Sequence, residues 1–274
     1  CGSQRHGWVA QHGTNAVADL QVVLGGGLVG CLCAAVLCKK GFQVWLKWSN
    51  LGDAGGGTVN GQAYTDQECY LQALKLDPTY ALGWFNLGAA GGGTVHGQAY
   101  SEQECFVEAL KLDPAFAAAW NELGSAGGSM MNGQAYSEQE CYVEALKLDP
   151  AFAAAWNNLG VAGGGTVNGQ AYSKQECVAE ALKLNPACFR AWYNLARAGG
   201  GTVNGQAYSK QECFVEALKL NPACYQAWYN LGLAGGGTVN GQAYSKQECF
   251  VEALKLDPGY ALGWHALGLE GAAQ

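Results

Sequence analysis

Apolar residues along this chain fall into short helical stripes divided by glycine and proline. Tyr260, Ala261, Trp264, Leu267 and Gly268 recur at the spacing of one helix face. Cys249, Phe250, Ala253, Leu254 and Leu256 form a second apolar side just upstream. Between such stripes run three glycines and a turn signal, as in Gly235-Gly236-Gly237 and Asn240-Gly241. Asp257-Pro258 reads as a helix start, with Asp at the N-cap and Pro at the first helical position. The next such Asp-Pro is expected to end the preceding helix. Ser245 with Glu248, and Thr65 with Glu68, read as capping boxes at the start of second helices. No unit alternates apolar and polar residues, so strands are not expected.

The helix pair repeats. Trp48, Trp84, Trp120, Trp156, Trp192, Trp228 and Trp264 stand 36 residues apart. All six prolines keep that interval, as do Cys69, Cys105, Cys141, Cys177, Cys213 and Cys249. Six whole units span Trp48 to Gly263, followed by a terminal helix to Glu270 and a tail, 271–274. A pair of helices this short cannot bury its apolar face alone. Stacking on neighbouring pairs supplies the core, which makes an α-solenoid. Gly88 and Ala109 are small enough to let paired helices approach closely.

The pattern Trp-x-x-Leu-Gly, then Ala-Leu-x-Leu-Asp/Asn-Pro, resembles the tetratricopeptide (TPR) repeat family. Trp84, Leu87, Gly88, Ala109, Leu110 and Pro114 carry the resemblance, which covers residues 48–270. It implies an all-α fold, a right-handed α-solenoid of helix-turn-helix repeats. It also implies a non-catalytic protein–protein interaction scaffold. Two features depart from the family. The unit has 36 residues rather than the family's usual 34, and glycines replace the aromatic residues that normally end the first helix. Both predict a shorter first helix and a longer loop within the unit.

The units differ mainly in the first helix. The residue after each Trp is Ser49, Phe85, Asn121, Asn157, Tyr193, Tyr229 or His265. Five after it stand Asp53, Ala89, Ser125, Val161, Arg197, Leu233 and Leu269. The resemblance places such positions in a groove that receives a partner protein. Some members hold a carboxylate there with a Lys/Asn/Arg clamp. Asn86, Asn158, Asn194 and Asn230 match its Asn, and Arg197 its Arg. No Lys follows any Trp, so the cationic pair is incomplete, and the Asn side chains have an alternative use in bonds to backbone or to neighbouring helices. The candidate partner-binding set is therefore Phe85, Asn86, Asn121, Asn157, Asn158, Tyr193, Asn194, Arg197, Tyr229 and Asn230. An aromatic, amide-rich surface of this kind suits apolar or neutral segments.

The first 47 residues differ from the array. Val22–Cys38 is an uncharged, mainly apolar run followed by Lys39, Lys40 and Lys47. Its length sits at the lower end of what spans a bilayer. Gly26 and Gly30 form a small-xxx-small pair, so Val22, Gly26, Gly30 and Ala34 are candidates for membrane or partner docking. The same run has a second reading, as a degenerate repeat that caps the solenoid. The first reading supports an alternative function: a structural or assembly subunit of a larger membrane protein complex, respiratory or photosynthetic in type, anchored by residues 22–38. An organellar membrane would be one such location.

Composition narrows the remaining classes. Hydrophobic residues make up 49%, which excludes a disordered chain. The net charge of -7 argues against nucleic-acid binding through overall charge. That charge is uneven: the first three units from Trp48 are acidic and the last three are close to neutral. Cys31, Cys33 and Cys38 fit no common zinc spacing, and His6, His12, His96 and His265 are scattered. No metal or cofactor is expected, and the cysteines read as buried thiols of a reducing compartment. No glycine triplet is followed by Gly-Lys-Ser/Thr, so none is a phosphate loop. No catalytic residue set stands outside the repeat, so an enzyme is not expected. A fragment lacking its catalytic part forms a third class.

Overall fold

The computed structural model describes residues 44–271. They fall into two compact units, divided between Ala115 and Phe116. The first contains α1 (Val44–Asp53), β1 (Gly57–Val59), β2 (Gln62–Tyr64), α2 (Asp66–Leu76), α3 (Ala81–Ala89), β3 (Gly93–Val95), β4 (Gln98–Tyr100) and α4 (Glu102–Leu112). The second continues with α5 (Ala117–Ser125), β5 (Ser129–Met131), β6 (Gln134–Tyr136), α6 (Glu138–Leu148), α7 (Ala153–Ala162), β7 (Gly165–Val167), β8 (Gln170–Tyr172) and α8 (Lys174–Leu184). It ends with α9 (Phe189–Arg197), β9 (Gly200–Val203), β10 (Gln206–Ser209), α10 (Lys210–Leu220), α11 (Tyr225–Leu233), β11 (Gly237–Val239), β12 (Gln242–Tyr244), α12 (Lys246–Leu256) and α13 (Ala261–Gly271). Each odd-numbered helix packs on the even-numbered helix that follows it, and helix pairs succeed one another along each unit. Within each unit the architecture is a helical repeat of stacked helix pairs. The segment 22–38, with Val22, Gly26, Gly30 and Ala34, lies outside the described residues.

The loop inside each repeat is a two-stranded antiparallel hairpin, contrary to the sequence reading. Thr238 pairs with Ala243 and Val239 with Gln242. Asn240 and Gly241 both take positive φ, 50° and 83°, which is the type I′ turn that matches strand twist. Strands of three residues are too short to show alternation, so the turn pair was the signal. His96 takes the Asn place in one hairpin, with φ 48°.

Each hairpin has a fixed job. Its Tyr stacks edge-on against the Trp of the preceding helix, with ring centroids 4.7 Å apart for Trp156–Tyr172 and for Trp228–Tyr244. The same Trp donates its indole N–H to a proline carbonyl, 2.9 Å for Trp156 to Pro150 and 2.8 Å for Trp228 to Pro222. Trp228 is 5% exposed, whereas Trp264, which no described hairpin covers, is 58% exposed. The hairpin is thus the cover that completes the first helix.

The glycines make the helix-to-hairpin corner. Gly236 N–H bonds to Leu231 C=O at 2.9 Å and Gly235 N–H to Gly232 C=O at 3.0 Å. This is a Schellman cap, which requires a left-handed residue; Gly235 and Gly236 have φ of 102° and 91°. A Cβ on Gly236 would also run into the Tyr244 carbonyl oxygen. Gly88 serves a different need: a Cβ there would lie 2.7 Å from the Phe106 ring, so the close helix approach holds.

Second helices follow the expected capping. Ser245 accepts from Glu248 N–H, and the Glu248 carboxylate accepts from Ser245 N–H at 2.7 Å. Such a cap stabilises its helix by about 1 kcal/mol. The Asp-Pro step behaves differently from expectation. Asp257 is the C-cap of α12, its N–H bonded to Ala253 C=O, while its carboxylate accepts from Gly259 N–H at 3.0 Å. Its N–H, carbonyl and carboxylate are thus all engaged outside an N-cap, and α13 starts later, at Ala261. Leu256 also departs from the sequence reading. Cys249, Phe250, Ala253 and Leu254 are buried, but Leu256 is exposed at the helix end.

Candidate interaction surface

The odd-numbered helices present the residues that vary. Within the unit from Phe116, α5, α7, α9 and α11 each follow one pattern around the Trp. The two positions after the Trp lie toward the neighbouring first helix, and the position five after it is exposed.

The amide side chains of this row bond mainly to one another. Asn158 Nδ2 donates to Asn121 Oδ1 at 3.1 Å, and Asn194 Nδ2 to Asn157 Oδ1 at 2.9 Å. Asn157 Nδ2 faces Asn158 Oδ1 at 3.4 Å, within one helix. Asn230 Nδ2 continues the run to Tyr193 Oη at 3.3 Å and to Gln226 C=O at 2.7 Å. Each lateral bond joins the second residue after one Trp to the first residue after the previous Trp. Asn121 is buried and also donates to Glu122 Oε1 at 3.0 Å. In the other unit, Asn86 Nδ2 donates to Asp53 Oδ1 at 3.0 Å, beside Tyr70 Oη on the same oxygen. The Asn side chains are therefore ties between successive first helices. Each such bond contributes about 1 kcal/mol.

The aromatic candidates sit half-buried on the second helix of their own repeat. Ring centroids are 5.8 Å apart for Phe85–Phe106, 5.7 Å for Tyr193–Phe214 and 5.6 Å for Tyr229–Phe250. Tyr260 joins α11 to the start of α13, 5.0 Å from Tyr225 and 5.2 Å from Tyr229. Burial raises the Tyr260 hydroxyl above its ordinary pKa, and the neighbouring tyrosines add to that. Burial likewise raises Tyr193, opposed by Arg197. The structure thus brings Tyr193, Arg197, Tyr229 and Asn230 together on α9 and α11. Phe85 and Asn86 lie in the other unit. Tyr225 escaped the sequence reading, although the change from Ala117 and Ala153 to Phe189 and Tyr225 at one repeat position was its signal, and Tyr260 was read only as part of an apolar stripe.

Charge on this row is sparse, whereas the second helices carry a repeated ion pair in their last turns. There, Lys147 pairs with Glu144 at 2.7 Å, and Lys183 and Lys219 pair with Glu180 and Glu216 at 2.6 Å. Arg190 and Arg197 are exposed on α9 and form no ion pair among the described residues; Arg190 lies 6.0 Å from the Phe189 ring centroid. The repeated thiols are sealed away. Burial pushes Cys141, Cys177 and Cys213 up to about 12. Among the described residues no group of three or more His, Cys, Asp or Glu is placed to hold a metal ion. No described helix is long and apolar enough to cross a membrane.

No family model matches the chain, and no curated protein matches it. Among solved structures it is similar to YrrB, described as a TPR protein with an unusual peptide-binding site. The two are 15% identical, the match covers 73% of this chain and 98% of that one, and the TM-score is 0.40. So distant a likeness carries no argument about the site, and the architecture rests on the helix pairs themselves.

Proposed function

We propose that the chain is a non-catalytic protein–protein interaction scaffold that receives a partner segment across its first-helix row. The observation that supports this most is where the repeats differ. Hairpins and second helices are nearly identical, with the same capping box and the same Trp–Tyr contact in each. The exposed positions five after the Trp change from Ser125 to Val161, Arg197 and Leu233. A uniform frame thus carries a varied face, which is how one scaffold distinguishes positions along a bound segment. In this reading Tyr193 and Tyr229 are the aromatic contacts of one unit, and Phe85 is a separate contact of the other. Asn86, Asn121, Asn157, Asn158, Asn194 and Asn230 hold successive helices in register and offer their remaining polar atoms, and Arg197 supplies charge.

Selection of random twelve-residue peptides against the full chain, followed by hydrogen exchange of the bound complex, tests the reading. Protection concentrated on α7, α9 and α11 is expected. Protection confined to the hairpins or second helices, or failure to select any peptide, overturns it.

A further inference from the structure

We infer that the chain assembles head to tail, segment 25–38 of one copy seating on the open face of α13 in the next. The inference is independent of the scaffold reading, because it uses neither the residues of the first-helix row nor their ligand. It starts from a gap in a regular structure. In α11 the face carrying Trp228, Leu231 and Gly232 is covered by the hairpin that follows and by α12, and all three residues are buried. The same face of α13 carries Trp264, Leu267 and Gly268, and no described element covers it. Trp264 is 58% exposed, against 5% for Trp228. Gly268 marks a notch whose usual occupant is plain from the other repeats. A Cβ on Gly232 would lie 2.5 Å from the Phe250 ring, on Gly124 2.7 Å from Tyr142 and on Gly160 2.5 Å from Val178. Each notch thus takes one bulky side chain from the second helix that follows. At Gly268 nothing described stands within 4 Å.

The six described second helices each pack on a first helix of their own, so none is left for α13. A further copy of their pattern stands in the sequence, in a segment outside the described residues. Cys31, Leu32, Ala35 and Val36 keep the spacing of Cys249, Phe250, Ala253 and Leu254, with Leu32 at the place of the bulky side chain. Gly25-Gly26-Gly27 precedes them, as Gly235-Gly236-Gly237 precedes α12. The turn pair and the Tyr are missing, and Leu28 and Val29 follow the triplet instead. The segment has no charged residue, and the exposed residues Trp264, His265 and Gly268 include no carboxylate or ammonium group. The two surfaces can therefore meet without burying either kind of charge. Such a joint continues the contact that already links each first helix to the second helix after it. It also joins two unlike surfaces, and a contact of that kind builds rings or open filaments rather than two-fold pairs. The apolar run of Val22–Cys38 and the bare face of α13 then account for one another.

Sedimentation velocity of the full chain over a hundredfold range of concentration tests the inference. The mean mass should rise with concentration beyond that of a dimer. Gly268→Glu fills the notch and Leu32→Glu puts a charge into the segment, and each alone should give monomers. The thermal midpoint of Gly268→Glu should be unchanged, because that residue is exposed. Mixed in equal amounts, the two variants should form a dimer and nothing larger, since one still offers its segment and the other its notch. A synthetic peptide of residues 25–40, added in excess to the unaltered chain, should reduce the assemblies to monomers. Monomers of the unaltered chain at every concentration overturn the inference, as does assembly that survives either substitution. A dimer of the unaltered chain that Gly268→Glu abolishes and the mixture does not restore shows α13 pairing with itself, which also overturns it. Flotation with vesicles of phosphatidylcholine and phosphatidylglycerol, lost in Leu32→Glu and indifferent to Gly268→Glu, assigns the segment to a membrane and sinks it. In every case the selection of peptides by the first-helix row still tests the scaffold.

Discussion

The hairpin side and the first-helix row of the same repeat make opposite use of polar groups. On the hairpin side the main polar ties join a side chain to the backbone. Trp192 bonds to the Pro186 carbonyl, Gln175 Nε2 to the Ala198 carbonyl, and Ser173 and Glu176 cap one another. Backbone partners do not change with sequence, so this side tolerates no variation and shows almost none. On the first-helix row the ties run from side chain to side chain, as between Asn194 and Asn157. Changing one residue there changes the next bond, and Tyr193 already replaces Asn as the acceptor for Asn230. Variation is thus concentrated where a tie lost with one side chain can be remade by another.

That contrast can be broken by substitution. The largest effect is expected on the hairpin side: Trp192→Ala removes a ring stacked 4.8 Å from Tyr208 and the bond to Pro186. A loss of about 3–5 kcal/mol in a urea titration is expected, as for other large core truncations. Gly236→Ala comes next. It forces a left-handed alanine, about 1–2 kcal/mol, and adds the collision with the Tyr244 carbonyl, so the total should exceed about 2 kcal/mol. A loss under 0.5 kcal/mol would show that the corner can rebuild. On the row, Asn194→Ala should cost only about 1 kcal/mol. A double-mutant cycle with Asn157→Ala should recover coupling of that order, and additivity of the two substitutions would deny the tie. Smallest of all, Glu180→Gln breaks an exposed pair with Lys183 at 2.6 Å and should shift stability by less than about 0.5 kcal/mol.

Alkaline pH sharpens the comparison from the core. Cys141, Cys177 and Cys213 are raised from an ordinary 9.0 to about 12 by burial. Their folded-state pKa lies above the unfolded one, so the folded state holds the proton more tightly. Stability is therefore fully present below about pH 9 and is lost as pH rises toward 12. Urea midpoints measured from pH 8 to 11 should fall, and Cys177→Ala should flatten the fall. At pH 8 these thiols should resist iodoacetamide in the folded chain and react after unfolding.

Much of the frame was legible because it rests on local rules. Trp, Pro and Cys mark the repeat, Ser and Glu mark the caps, and glycine marks the corner. The hairpin escaped notice because three-residue strands carry no period, although Asn240-Gly241 announced the turn. The helix start was misplaced at Asp257 because an Asx turn uses the same residue type as an N-cap. The third glycine of the triplet, as at Gly237, lies in a strand rather than in the cap, and Ser129 fills that place in one repeat. At the candidate surface, residue positions were legible and partners were not. No sequence rule says that Asn158 meets Asn121, since that bond depends on how two stacked helices are offset.

The Trp–Tyr clasp also has a consequence for how the chain is made. Each Trp from Trp48 to Trp228 meets its Tyr, and each cap its partner, within one stretch of chain shorter than a repeat. Ties beyond it reach only the next repeat, as Gln139 does to Ala162. Low sequence separation between contacting residues favours fast folding. A repeat emerging from the ribosome can therefore close its own clasp before the following one is synthesised. Near-identical neighbours, which would invite exchange of elements in a slowly folding chain, then meet as finished parts.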